Sequence, residues 1–546
     1  MKAVTPRHVL LWLVLILNFK LSGGIKMNKS KNIIHVILLT VLSLSCSEEF
    51  LEREPLDALT MDTYYQSYEE IRAAIAPLYS TAWFEYNDKG SFSFGDCLGG
   101  NMINPWSYED FVYFTYTSLD QTIGSGWASL YRVVGHANLH IRNILERSSA
   151  SISEEQKQQV IGEARFMRAV AYFYLVRLWG NVPIIVDNIA LIDDYIVPLN
   201  RGEDVYQYII NDLNYAVSYL PDTDPEPGRV TSWSAKAMLA KVYLAFSGYN
   251  STDGSRNQAL LDSVIYYAED VIRNGPYDLM ENYPDLFLIE NDNNEESIFA
   301  WQWIAGNYGD GNSFQAYFAV SGDITGVGDG WGGAVTATVG LSEMFASQDN
   351  IRRKATYMMP GDHYSDLNES EGGYTHEGPG ANFKKYVVGT PDDNNGEVRF
   401  MSAANNTYIL RFAELLLIYA EAILGNEAST TDPDALEAFN RVRTRAGISG
   451  YSELTFRDIF DEKRRELALE GNTWFEIVAW WYFQPDEALA YIATQDRGRY
   501  IPGDESQMTH ETYSPPSSKM QLPYPESEVA QNPLFNEPPV PFDFGE

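Results

Sequence analysis

Trp331 stands in the run GDGWGG, and Trp106 closes the run GDCLGGNMINPW with Asp96 and Asn101 close by. Trp301, Trp303 and Tyr308 alternate with polar residues and glycine. Rings flanked by glycine are left uncovered. Carbohydrate suits such rings: a sugar presents C–H groups on one face and hydroxyls at its rim. A flat aromatic side chain matches the apolar face, while Asp, Asn or Arg beside it bonds the hydroxyls. Trp301 and Trp303 fall on a short expected strand over 297–303, where core packing competes with a binding role.

Other constellations point to structure. His136 and His140 are four apart on a helix, but Ala137 stands where a metalloprotease carries Glu and no third ligand is evident. The runs Arg441-Val-Arg-Thr-Arg445 and Lys463-Arg-Arg465 sit in amphipathic helices, and ion pairs with the excess carboxylates are expected. No P-loop, G-x-S-x-G or cysteine–histidine pair occurs. A glycosidase needs two placed carboxylates, and among 75 acidic residues no pair is marked by context. No metal or cofactor is called for.

These residues need a frame, and GEARFMRAVAYFYLVRLWGNVP is its centre. Apolar residues cover more than one stripe from about Glu154 to Trp179, so a helix about 39 Å long should be buried on most sides. Gly180-Asn181 can end it and Pro183 prevents its resumption. Its arginines, Arg165, Arg168 and Arg177, are expected to pair with neighbouring helices. Further helices are read at Tyr68–Tyr86, Trp127–Arg147, Val205–Leu220, Ser232–Phe246, Leu260–Asn274, Thr407–Leu424, Ala435–Ala446 and Phe456–Trp480. SAKAMLAKVYLAFSG followed by LLDSVIYYAEDVI sets small residues against large ones, as tetratricopeptide repeats do. The fold class is therefore mainly α: a degenerate tetratricopeptide-repeat-like scaffold of about four helix pairs with an irregular, loop-rich second lobe. Within the scaffold at 67–279, residues 87–122 read as a long exposed binding loop. The irregular lobe, 280–404, contains GNYGDGNSF, GVGDGWGGA and EGGYTHEGPGANFKKY. Helices over 405–484 complete the scaffold and 485–546 form an extended tail.

The chain has 546 residues and a formal charge of −36, which argues against nucleic acid and against docking on anionic lipid through basic residues. Residues 1–45 hold Lys2, Arg7, Lys20, Lys26, Lys29 and Lys31 and no acidic residue. The apolar run Ile33–Leu44 is too short to span a membrane and has the layout of a signal peptide. It ends in Leu-Ser-Leu-Ser-Cys46, which resembles a lipoprotein cleavage site. Cys46 would then be the lipidated first residue of a linker over 46–66, and Cys97 a lone thiol. Met27 begins a complete signal sequence, so translation is expected to start there. The Ser-Glu-Glu-Phe after Cys46 resembles the surface-export signal of Bacteroidetes lipoproteins.

Taken together, CSEEFLEREPLDALT, WASLYRVVGHANLHI, the central helix, GRVTSWSAKAMLAKVYL, YILRFAELLLIYAEAI, FNRVRTRAGI, EKRRELALEGNTWFEIV and LPYPESEVAQNPLF resemble the RagB/SusD family of surface glycan-binding lipoproteins. They run in family order from Cys46 to Phe535; Ala479-Trp480-Trp481 departs from the pattern, since members often show a basic residue near a Trp. The resemblance implies a four-repeat helical scaffold, no catalysis and an outer-membrane location. It also implies a SusC-like TonB-dependent transporter as partner, over which the lipoprotein sits as a hinged lid. Ligand contacts in the family come from loops equivalent to the two aromatic regions. The expected contacts are Asp96, Asn101, Trp106, Tyr308 and Trp331, with Trp303 and Tyr386 beside them. The expected function is capture of oligosaccharide for the transporter, with a peptide-binding uptake protein or a glycoside hydrolase as alternatives.

Overall fold

The computed structural model describes residues 64–105, 108–193, 195–345 and 348–545. Cys46, the signal sequence, the start at Met27 and Trp106 lie outside the described residues.

The helices that carry the fold are α1 (Tyr68–Ile75), α2 (Gln121–Arg147), α3 (Glu154–Trp179), α4 (Gly202–Tyr219), α5 (Ser232–Ser247) and α6 (Gln258–Asn274). After a long irregular stretch come α7 (Phe412–Leu424), α8 (Pro433–Arg445), α9 (Phe456–Glu466), α10 (Thr473–Phe483) and α11 (Pro485–Thr494). Neighbours in sequence pack on one another: α2 on α3, α3 on α4, α4 on α5, α5 on α6, and α6 on α7 across the irregular stretch. This is the tetratricopeptide-like layering expected from the small-against-large helices.

α3 is the hub. A capping box of Ser153 and Gln156 starts it, and Gly180, at φ +74°, ends it with its N–H on the Val176 carbonyl. Every residue from Val160 to Trp179 except Arg165 is buried. Its charges are met individually. Arg168 makes a two-pronged bond to Asp212 on α4, at 2.8 and 2.7 Å, and Glu163 accepts from Arg229 at 2.9 Å. Arg177 departs from the expected ion pair: its guanidinium lies over the rings of Phe173 and Phe475, 3.8 and 4.1 Å from their centroids.

Four sequence expectations are corrected. The tail expected to be extended over 485–546 opens with α11, which Pro485 starts at its first turn. The helix expected over Tyr68–Tyr86 stops at Ile75 and continues as short 3₁₀ turns, because Pro77 has no N–H to extend the ladder. The helix expected over Thr407–Leu424 begins only at Phe412; Thr407–Arg411 is a strand paired antiparallel with Ser297–Trp301, as its β-branched and aromatic residues favour. The helix expected over Phe456–Trp480 breaks into α9 and α10. Between them Leu469 takes φ +67°, and the N–H groups of Leu469 and Gly471 leave the helix to bond Asp96 at 3.0 and 2.9 Å.

A buried ion network closes the molecule around this break. Arg411 bonds Glu296, Glu466 and Glu470. Arg352 bonds Asp349, Glu462 and Glu466, and Arg445 bonds Glu296 and Glu466. Arg443 and Arg465 both reach Glu462, and Lys463 reaches Glu421 and Glu476. Most of the basic runs on α8 and α9 are thus spent on ion pairs, as expected. Arg464 is the exception: it bonds Asn101 Oδ1, the Gly100 carbonyl and the Tyr491 hydroxyl.

Candidate functional site

Of the region 87–122, expected to be an exposed loop, residues 87–104 are buried except Lys89, whereas most of the described residues beyond them stay exposed or half-buried. Tyr86–Gly90 and Ser93–Cys97 are π-helical turns, followed by a short helix at Glu109–Val112. Such π turns recur at functional sites because the extra residue re-aims side chains. The first turn is fixed to α2, where Ser129 Oγ accepts the Tyr86 N–H at 3.1 Å. It turns Asp88 and Lys89 toward an open cleft of about 810 Å³, lined also by Phe84, Glu85, Tyr108 and Tyr308. A second depression of about 690 Å³ is lined by Lys89, Asn104, Tyr108, Tyr317, Trp331 and the backbone beyond it. The two share Lys89 and Tyr108, and together they make a trough with Tyr308 toward one end and Trp331 toward the other.

Asp88 organises the middle of the trough. It is buried, and its two oxygens accept the hydroxyls of Tyr308 and Tyr317 at 3.0 and 3.1 Å. Burial and the Asp88 charge both hold these phenols above their ordinary pKa, so they stay protonated and donate to the carboxylate. Their ring faces are thereby fixed in direction. Tyr308 is 55% exposed and packs edge-on against Phe84, with centroids 4.8 Å apart.

Trp331 is 46% exposed. Its backbone is anchored where its N–H and that of Gly332 bond the carbonyls of Ala316 and Ala319, each at 2.8 Å. A Cβ at Gly332 would lie 2.2 Å from the Phe318 carbonyl oxygen. This glycine is therefore required by close backbone approach, and the bare indole is a consequence of that anchoring. Beside Trp331 stands Phe400, 50% exposed, with ring centroids 5.9 Å apart at 76°.

The structure brings Tyr308 and Trp331 to one surface and removes four other expected contacts from it. Asp96 is fully enclosed. It accepts Asn101 Nδ2 at 2.8 Å and the two backbone N–H groups between α9 and α10. Burial lifts its pKa to about 6, against the lowering pull of those donors. Asn101 is equally enclosed and spends its amide on Asp96, Thr473 and Arg464. Trp303 is buried, with Nε1 on Thr407 Oγ1 at 3.0 Å. Tyr386 is buried edge-on against Phe287 and Phe314. These four belong to the core because strand pairing, the helix break and the aromatic cluster consume them. Trp301 is also core, stacked on Trp83 at 4.9 Å. Trp106 is outside the described residues, but its chain neighbours Asn104 and Tyr108 line the trough. Cys97 is a free, buried thiol whose pKa burial pushes up.

Sequence reasoning missed Asp88, Lys89, Tyr317 and Phe400. Asp88 and Lys89 lie in YNDKG, which carries no periodic signal. Phe400 sits at the tip of a hairpin formed by Val398–Arg399 and Ser402–Ala403, strands too short to show alternation.

Comparison with known proteins gives the family. Residues 270–539 match the SusD family model, and residues 49–244 match a model described as starch-binding associating with outer membrane. A SusD-like protein of Bacteroides ovatus is 42% identical over 545 residues, spanning 95% of this chain and 99% of that one. The chain belongs to the SusD family. A crystal structure described as containing xylogluco-oligosaccharide superposes with a TM-score of 0.82 at 41% identity, covering 87% of this chain and all of the other. A surface glycan-binding protein A from Bacteroides uniformis, 22% identical with a TM-score of 0.68 over 86% of this chain and 98% of that one, shares the fold.

Proposed function

We propose that this protein captures oligosaccharide in the Tyr308–Trp331 trough and passes it to a SusC-like TonB-dependent transporter of the outer membrane. In this reading it is a surface lipoprotein, tethered by lipid on Cys46. One observation carries the binding assignment: Trp331 and Tyr308 are half-exposed rings on two adjoining depressions that share Lys89 and Tyr108, held by anchored backbone and by Asp88. The 41% identical relative crystallised with xylogluco-oligosaccharide favours a glucan backbone carrying xylose as the ligand class. The signal-like run before Cys46 and the family description of association with the outer membrane support the location.

The trough uses Asp88 to hold rings and not to transfer protons. Its buried carboxylate, Asp88, already accepts from two phenols, which fixes ring orientation and leaves it poorly placed to shuttle a proton. Calorimetry against a panel of neutral oligosaccharides tests the assignment. Binding of a xylogluco-oligosaccharide, with no reducing sugar released, is expected. Retention of peptides from a protein digest with no glycan bound would move the reading to a peptide-uptake protein. Co-purification of a transporter with the full-length lipoprotein, lost in Cys46→Ala, is expected from the membrane tether.

A further inference from the structure

Trp331 and Phe400 come from separate segments, and both leave about half their surface to solvent. Their planes meet at 76°, so they form a corner and not a flat platform. The corner is held from beneath. Phe400 and Met401 are the two central residues of the hairpin turn, and Met401 takes φ +51°, a conformation that costs a side-chain-bearing residue energy. The Met401 N–H bonds Asp329 Oδ2 at 2.6 Å. Asp329 is 3% exposed and lies two residues before Trp331. One buried carboxylate therefore fixes the turn that carries Phe400 to the segment that carries Trp331.

We propose that this corner recognises a branch point in the glycan, with Phe400 as a second ring contact and Asp329 as the residue that positions it. The inference rests on the oligosaccharide reading above. Two rings at this angle cannot both stack on neighbouring sugars of a flat, linear chain. They can take a backbone pyranose face on the indole and a substituent sugar, inclined to it, against the phenyl ring. Trp331 then supplies affinity for any chain in the trough, and Phe400 supplies preference for the substituted one.

The test uses the mature protein, titrated calorimetrically with a linear β-glucan tetrasaccharide and with its xylosylated counterpart. Wild type should bind the xylosylated ligand more tightly. Phe400→Ala should weaken that ligand about five-fold, the scale of one lost ring contact, and change the linear ligand less than two-fold. Asp329→Ala should copy Phe400→Ala, whereas Asp329→Asn, which keeps an oxygen for the Met401 N–H, should stay within two-fold of wild type. Equal losses for both ligands in Phe400→Ala, or no loss for either, overturns the branch-point assignment. If Asp329→Ala fails to fold, Phe400→Ala and Asp329→Asn still decide. Trp331→Ala separates the two levels: weakened binding of both ligands keeps the trough, and unchanged binding of both removes the trough itself.

Discussion

Asp96 spends both carboxylate oxygens inside the body, on two backbone N–H groups and one amide. Asp96→Ala strands those donors and should cost about 2 kcal/mol or more of stability, measured by denaturant unfolding. Its pKa, near 6, and that of half-buried Asp292, lifted to about 7 mainly by burial, give a signed pH dependence. A carboxyl whose folded pKa exceeds its unfolded value stabilises the fold as pH falls through the folded pKa. Asp292 accepts the Asn406 N–H, a role that Asn can also fill. Wild type should therefore gain Tm relative to Asp292→Asn between pH 8 and pH 5; parallel Tm curves would refute this. At this scale the sequence revealed which residue types could stack on sugar, since Trp331 and Tyr308 were readable from their glycine-rich settings. It did not reveal exposure. Asp96 and Tyr386 sit in equally glycine-rich runs, and their burial depends on partners such as Leu469 and Phe314, far away in sequence.

Helices were the legible elements, because α3 and its neighbours carry the 3.6-residue period and clear caps. The break between α9 and α10 was hidden, since its cause, Asp96, lies more than 370 residues earlier. The strand Thr407–Arg411 was hidden because it runs directly into the apolar stripe of α7. The ion network at this junction sets a second pH limit. Burial pushes Glu466 upward, but Arg445, Arg411 and Arg352 outweigh it and hold the pKa at about 2. A depressed carboxyl stabilises the fold above its unfolded pKa, so this contribution is lost as pH falls from about 4.5 toward 2. Removing one member of a buried charged set leaves the others unpaired. Arg411→Ala should thus cost about 3–5 kcal/mol, seen as a lowered denaturation midpoint, whereas a cost below about 1 kcal/mol would mean that the network relaxes freely.

Across the whole molecule, helical layers form a frame and the irregular stretch after α6 supplies both core and surface. Trp301, Phe314 and Tyr386 from that stretch are buried, while Tyr308, Trp331 and Phe400 stay about half exposed. The division of labour follows from backbone anchoring, as at Gly332, and no local pattern encodes it. The acidic balance of −36 suits an uncharged ligand over a polyanion. The central claim is that the trough binds oligosaccharide through its exposed rings. The most direct measurement is calorimetric titration of a xylogluco-oligosaccharide into wild type, Trp331→Ala and Tyr308→Ala. Saturable binding by wild type, weakened by about 1 kcal/mol or more in each variant with unchanged Tm, is the expected result. Undiminished affinity in both variants, or no binding by wild type, would contradict the account.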